Sequence, residues 1–266
     1  MFDASFLQLT QEKLIIGVLI LIRVSGVFTS GHFYGNPAIS IPVKIGLILI
    51  ITMTLAPLHF DNTSNIDFNL INITVLVFKE FLVGTMLGFT TNIVYWAARF
   101  GGSITDMDMG YQASLMFDPS NGAPTLVGEF YSLAALLIFL YLNGHHFIIE
   151  TLFLSMKTVP LTTFAITGST IKILFMLMSS FMMLGLKLAA PVLITLFNVN
   201  LALTMLARVA PQMNIFMLSF QVKIAVGLVI LFVSVPLVAI VTKQALGLIE
   251  TEITNFLMTL NPALAA

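Results

Sequence analysis

Long apolar runs separated by short polar breaks organise the chain, at positions 14–28, 45–58, 71–99, 133–142, 147–154, 171–206 and 215–241. Runs of this kind predict helices, and the ten-residue alternating strands of a membrane β-barrel are absent, so the expected class is all-α. Breaks rich in Gly, Pro, Asn and Ser place loops at 30–43, 58–70, 101–128, 155–170 and 208–214. Beyond the last run, Leu246, Ile249, Ile253, Phe256, Leu257 and Leu260 recur at helical spacing, with Glu250 and Glu252 off that face. This tail reads either as an interfacial docking helix or as a packed terminal helix.

A membrane span needs about 20 apolar residues, and few of the runs supply them uninterrupted. Arg23 sits in the first run, Lys79 and Glu80 in the third, and Lys187 with Pro191 in the sixth; the second is short. A central Arg or Lys costs about 2.5 to 3.5 kcal/mol on insertion scales, and each Leu, Ile, Val or Phe returns roughly 0.3 to 0.6. Residues Leu14, Ile15, Ile16, Val18, Leu19, Ile20, Leu21 and Ile22 just offset Arg23. Intramembrane charges usually face a partner or water. These helices are therefore expected to bury themselves largely against other protein.

Composition sharpens this picture. Of 266 residues, 58% are hydrophobic and 9% charged, where a soluble domain carries about a quarter charged. Eleven Lys and Arg against twelve Asp and Glu leave a formal charge of −1, which offers nothing to a nucleic-acid backbone. The absence of cysteine removes disulfides, Cys-ligated metals and thiol nucleophiles. An acidic start and Arg23 within the first apolar run make a cleaved signal peptide unexpected.

Candidate chemistry is sparse. Glu80, Gly84, Gly88, Asn92, Tyr95 and Arg99 advance by three or four residues and share one helical stripe. Gly84 and Gly88 allow another helix to approach closely, in an assembly or within this chain. His145 and His146 are adjacent and point about 100° apart on a helix, with no third ligand at suitable spacing, so no metal site is expected. No phosphate-binding loop or nucleophile motif is present, and nothing argues for an enzyme or a cofactor.

The stretch MDMGYQASLMFDPSNGAP, residues 107–124, combines glycines with Met107, Met109, Met116 and Phe117. Asp106, Asp108 and Asp118 are interleaved with apolar residues, unlike a hard-cation cage. Methionine and phenylalanine suit a deformable seal, and equally a loop folded on its own helices. At the last break, Pro211 and Asn214 suit a turn, with Arg208 placed to cap the preceding helix end.

Several stretches together resemble a known family. They are RVSGVF at 23–28, the segment from Gly35 through Ala56-Pro57-Leu58, and Lys79-Glu80 followed by Gly84 and Gly88. They continue with GGSITDMDMGYQASLMFDP at 101–119, FLYLNGHH at 139–146, Ser155 with Pro160, and NLALTMLARVAPQMNIF at 200–216. In order and spacing, over roughly 14–235, these resemble the FliR family of flagellar biosynthesis proteins, a pattern shared by the injectisome export proteins of the SpaR and YscT type.

The resemblance implies a non-enzymatic subunit of the type III secretion export gate in the bacterial inner membrane, at the flagellar basal body. It implies helical hairpins packed against neighbouring subunits, many of them raised out of the bilayer. FliP-like and FliQ-like gate subunits, an FlhB-like switch protein, an FlhA-like export protein, unfolded flagellar export substrates and membrane lipid would be the partners. Residues 1–170 would be the FliP-like part and 171–266 a FliQ-like hairpin with a C-terminal amphipathic helix. Loop 106–119 is similar to the plug that projects into the closed pore. Tyr111, Leu115, Met116 and Phe117 would form its seal and Gly101, Gly102 and Gly110 its hinge, although Ala113 and Met116 depart from the more Phe-rich family loop. Glu80, Gly84, Gly88, Asn92, Arg99, Arg208 and Pro211 would serve helix packing and assembly. The competing reading is a small multi-pass secondary transporter using Lys79, Glu80 or Arg208 as coupling charges.

Overall fold

A computed structural model describes residues 4–35, 39–59, 70–111 and 125–261. Every regular element among them is helical: α1 (Ala4–Ser30), α2 (His32–Gly35), α3 (Ile41–Leu55), α4 (Leu70–Thr91), α5 (Ile93–Met109), α6 (Leu126–Tyr141), α7 (Gly144–Thr158), α8 (Gly168–Val209) and α9 (Ile215–Leu260). A 3₁₀ turn, Ala56–His59, follows α3. Five of these helices, α1, α3, α4, α8 and α9, are long and apolar enough to cross a membrane.

Three boundaries differ from the sequence reading. The run at 71–99, read as one helix, breaks at Asn92 into α4 and α5. The Asn92 side chain is drawn into capping α1 and α2 there: its amide donates to the Ser30 carbonyl and its oxygen accepts the His32 N–H. The loop expected from residue 101 begins later, because α5 continues to Met109. The tail after 241 is the unbroken continuation of α9, and Leu246, Ile249, Ile253, Phe256, Leu257 and Leu260 are all buried. The packed terminal helix is what the structure contains.

The described residues form two compact units. The first comprises residues 1–92, 143–177 and 248–266, the second 93–142 and 178–247. This division by contact cuts across the expected one at residue 170, which concerns likeness to other subunits. In the first unit α1 packs along α4 and α3. Its buried stripe is Ile16, Leu19, Ile20, Arg23, Val24, Val27 and Phe28, at helical spacing, with Arg23 in the middle. The opposite face is apolar too, with Leu14 and Val18 exposed. In the second unit α5 packs along α6, and Ile93, Ala97, Val127, Tyr131 and Ala135 are buried.

Lipid tails are as apolar as leucine, so helices in such a protein are held by close packing and polar contacts. Glycine supplies the close packing. A Cβ on Gly26 would lie 2.8 Å from the Phe81 carbonyl oxygen, and one on Gly84 would strike the Arg23 carbonyl. One on Gly88 would meet the Gly31 backbone nitrogen at 2.8 Å. The Gly84 and Gly88 stripe thus packs α4 against α1 within this chain.

Candidate functional site

Buried charge marks the first unit. Arg23 Nε donates to Glu80 Oε2 at 2.6 Å, and Arg23 Nη2 lies 2.6 Å from the same oxygen, with both side chains inaccessible to solvent. The guanidinium also donates through Nη1 to the carbonyls of Ser155 (3.1 Å) and Val159 (3.0 Å), at the C-terminal end of α7. A cation there meets the negative end of the helix dipole and adds a second donor to the Ser155 carbonyl, which already accepts the Val159 N–H. The second carboxylate oxygen, Glu80 Oε1, accepts the Thr162 N–H at 3.1 Å. Thr162 has φ 83°, a left-handed conformation unfavourable for a β-branched residue.

The Arg23–Glu80 pair therefore fastens the segment 155–162 to α1 and α4. A buried ion pair is favourable only when further hydrogen bonds complete it, and here both partners have them. On its other side, the same connector is fastened to the end of α9. Thr167 Oγ1 and Thr170 Oγ1 donate to the Thr259 carbonyl, the Ala165 N–H donates to the Leu260 carbonyl, and Asn261 donates to the Thr158 carbonyl.

In the second unit the sequence-selected glycines Gly101 and Gly102 lie inside α5, at helix crossings. A Cβ on Gly101 would come within 2.5 Å of the Gly185 carbonyl of α8, and one on Gly102 within 2.5 Å of the Gly128 nitrogen of α6. What their missing side chains provide here is close approach of neighbouring backbone. Gly110, in contrast, has φ +86°, and its backbone ends α5 against the Phe220 ring.

Asp106 is fully buried on α5 and reaches across to the first turn of α6. Its carboxylate accepts the Val127 N–H at 3.0 and 3.2 Å and the Gly128 N–H at 3.2 Å. A carboxylate at a helix N-terminus satisfies orphan donors and complements the dipole. Burial raises the pKa of this carboxyl, and the two backbone hydrogen bonds pull it back. Nearby, Met109 fills the space over Gly227 of α9, Tyr131 pairs with Ser234 at 3.2 Å, and at the surface Arg99 forms an ion pair with Glu129 at 3.0 Å.

Tyr111 is half-buried just after α5, whereas Leu115, Met116 and Phe117 lie outside the described residues. Glu80, Gly84, Gly88 and Asn92 are brought together along α4 against α1; Arg99 falls on α5 in the other unit. Arg208 and Pro211 are exposed at the turn between α8 and α9. Sequence reasoning missed that Arg23 and Glu80, noted separately as interruptions, are each other's partner. It also missed Asp106 as the cap of α6. The signal for the pairing was present: opposite charges in two strongly apolar runs, each with a glycine three or four residues further on, Gly26 after Arg23 and Gly84 after Glu80.

Helices of membrane-crossing length, internally paired charges and glycine crossings define a polytopic all-α membrane protein. The chain matches the model of the bacterial export proteins, family 1, over residues 14–249, and belongs to that family. It is 32% identical to the flagellar biosynthetic protein FliR of Pectobacterium carotovorum subsp. carotovorum, over 82% of this chain and 83% of the relative. It is 28% identical to FliR of Bacillus subtilis, over 90% of this chain and 93% of that one. It is also 30% identical to the surface presentation of antigens protein SpaR of Shigella flexneri, over 80% and 82% respectively.

Proposed function

We infer that the protein is a structural, non-enzymatic subunit of the flagellar type III export gate, part of the pore that passes unfolded flagellar proteins across the bacterial inner membrane at the flagellar basal body. The observation that carries this reading is the mismatch between its longest helices and a bilayer. At 42 and 46 residues, α8 and α9 extend about 63 and 69 Å, roughly twice a hydrocarbon core of about 30 Å. Apolar side chains are exposed along both: Phe175, Phe197 and Met205 on α8, and Phe216, Phe232 and Ile240 on α9. Lipid covers at most part of such surfaces, so other protein must cover the rest.

FliP-like and FliQ-like gate subunits are the proposed cover, with FlhB-like and FlhA-like proteins nearby. Residues 106–119 act as the pore plug, in which Tyr111, Leu115, Met116 and Phe117 form the seal. Gly110, with its left-handed backbone, is the proposed hinge; Gly101 and Gly102 support the frame. Arg208 and Pro211 belong to the assembly surface at the hairpin tip. A transporter would need its coupling charges free to load and unload an ion, whereas Glu80 is enclosed with Arg23 away from solvent.

Export itself is the test. Cells lacking the chain should stop secreting flagellar proteins and recover on re-expression, with small-solute uptake unchanged. Normal secretion in its absence contradicts the assignment.

A further inference from the structure

Within the second unit, beyond the point where Gly101 meets Gly185, α5 and α8 leave an open groove of about 610 Å³ between them. Ile104, Met107 and Asp108 line it from α5, and Ile194, Phe197 and Asn200 from α8, each set at helical spacing. Its walls are apolar and uncovered: Met107, Ile194 and Phe197 are 61 to 64% exposed. Two polar side chains share it. Asp108 and Asn200 are half-buried there, and among the described residues neither side chain has a hydrogen-bond or ion-pair partner. Asp106, two positions earlier on the same helix, takes its donors from α6 and leaves Asp108 as the unpaired acid of α5.

Neither water nor lipid suits this surface. Water hydrates the carboxylate and leaves three large apolar side chains wet, whereas acyl chains cover those side chains and strip the carboxylate of partners. A protein helix with an apolar face and one lysine or arginine satisfies both demands. Its cation donates to the Asp108 carboxylate and to the Asn200 side-chain oxygen, the stronger kind of hydrogen bond. From Ile194 to Asn200 the groove follows α8 for about 9 Å, the length of nearly two helical turns.

We propose that this groove receives an apolar helix of another export-gate subunit, with a basic side chain of that helix seated on Asp108 and Asn200. The proposal rests on reading the chain as a gate subunit, and it names the part of the assembly surface that fixes the partner's register. A single cation in an apolar contact does so because every other register buries the carboxylate unpaired.

The test uses the gate made together with its FliP-like and FliQ-like subunits and released in mild detergent. With photoreactive p-benzoylphenylalanine in place of Phe197, illumination should couple this chain to one peptide of another subunit. Mass spectrometry of that peptide should find a lysine or arginine within a turn of the coupled position. Coupling to lipid alone, to this chain itself, or to a peptide with no basic residue there overturns the proposal. A second arm examines the charge. Asp108→Lys should weaken association with the other subunits about thirtyfold or more, as when one member of a buried charge pair is lost. Asp108→Glu should keep most of it, and reversing the charge of the coupled basic residue should recover the Asp108→Lys variant. Asp108→Asn keeps the shape of the side chain and so separates a lost partner from a disturbed helix; association should drop about tenfold with the chain still in the membrane. If the parent joins the other subunits and Asp108→Asn joins them equally well, the groove assignment alone fails. If the parent never joins them, the gate reading fails and this proposal with it.

Discussion

Arg23 and Glu80 meet at 2.6 Å with neither side chain reaching solvent, and between them they hold Ser155, Val159 and Thr162. Two charges that interrupt apolar helices thereby become the fastening of a connector. Removing one partner strands the other, at a cost of about 3 to 5 kcal/mol. Arg23→Ala and Glu80→Leu should each lower the amount of chain recovered in the membrane sharply, as read by immunoblot. The double variant Arg23→Met with Glu80→Leu should recover part of it. Single variants that accumulate like the parent contradict the role given to the pair.

Glycine positions should separate into two kinds. Gly84 has the Arg23 carbonyl against the place a Cβ would occupy, while Gly46 on α3 has open space. Gly84→Ala should destabilise by about 1 to 3 kcal/mol through overpacking. Gly46→Ala should be neutral or gain up to about 1 kcal/mol from helix propensity. Thermal unfolding of the chain purified together with its partner subunits distinguishes them; equal midpoints for the two variants contradict the α1–α4 packing.

The buried Asp106 carboxyl gives stability a pH dependence with a definite sign. Its folded pKa is raised, so the folded state binds the proton more tightly than the unfolded chain does. The contribution is complete below the ordinary carboxyl value of about 3.9 and is lost as pH rises through the raised value. The melting temperature should fall over that interval, and Asp106→Asn should flatten the slope. A parent profile already as flat as the variant's contradicts this.

Deleting Ala113 to Phe117 should leave the gate assembled but leaky. The measurement is ion conductance of membranes carrying the resting gate, alongside copurification of its subunits. Unchanged conductance and unchanged secretion together remove the plug from the account.

Much of the fold was legible because helical periodicity survives in a membrane chain. The glycine stripe at Gly84 and Gly88 followed from it, and the turn at 208–214 from Pro211 and Asn214. The break at Asn92 was not legible, since Ile93, Val94 and Ala97 continue the apolar pattern and only the tertiary capping of Ser30 and His32 by Asn92 ends α4. Gly101 and Gly102 looked like loop residues because glycine serves both backbone freedom and close helix contact, and only Gly185 and Gly128 on distant segments decide between them. Asp106 was noticed as one of three acids near a loop. Its role depends on the first turn of α6, 21 residues further along, and no local pattern encodes that. The stripe of Ile249 to Leu260 allowed surface docking or burial, and only the rest of the first unit shows which.

The most direct measurement of the central claim is the mass of the particle recovered through a tag on this chain, made together with FliP-like and FliQ-like subunits and released in mild detergent. Protein cover for α8 and α9 predicts a stable hetero-oligomer of defined composition, and an aggregating chain when it is made alone. A well-behaved monomer, with α8 and α9 wrapped in detergent and no affinity for the other subunits, contradicts the account.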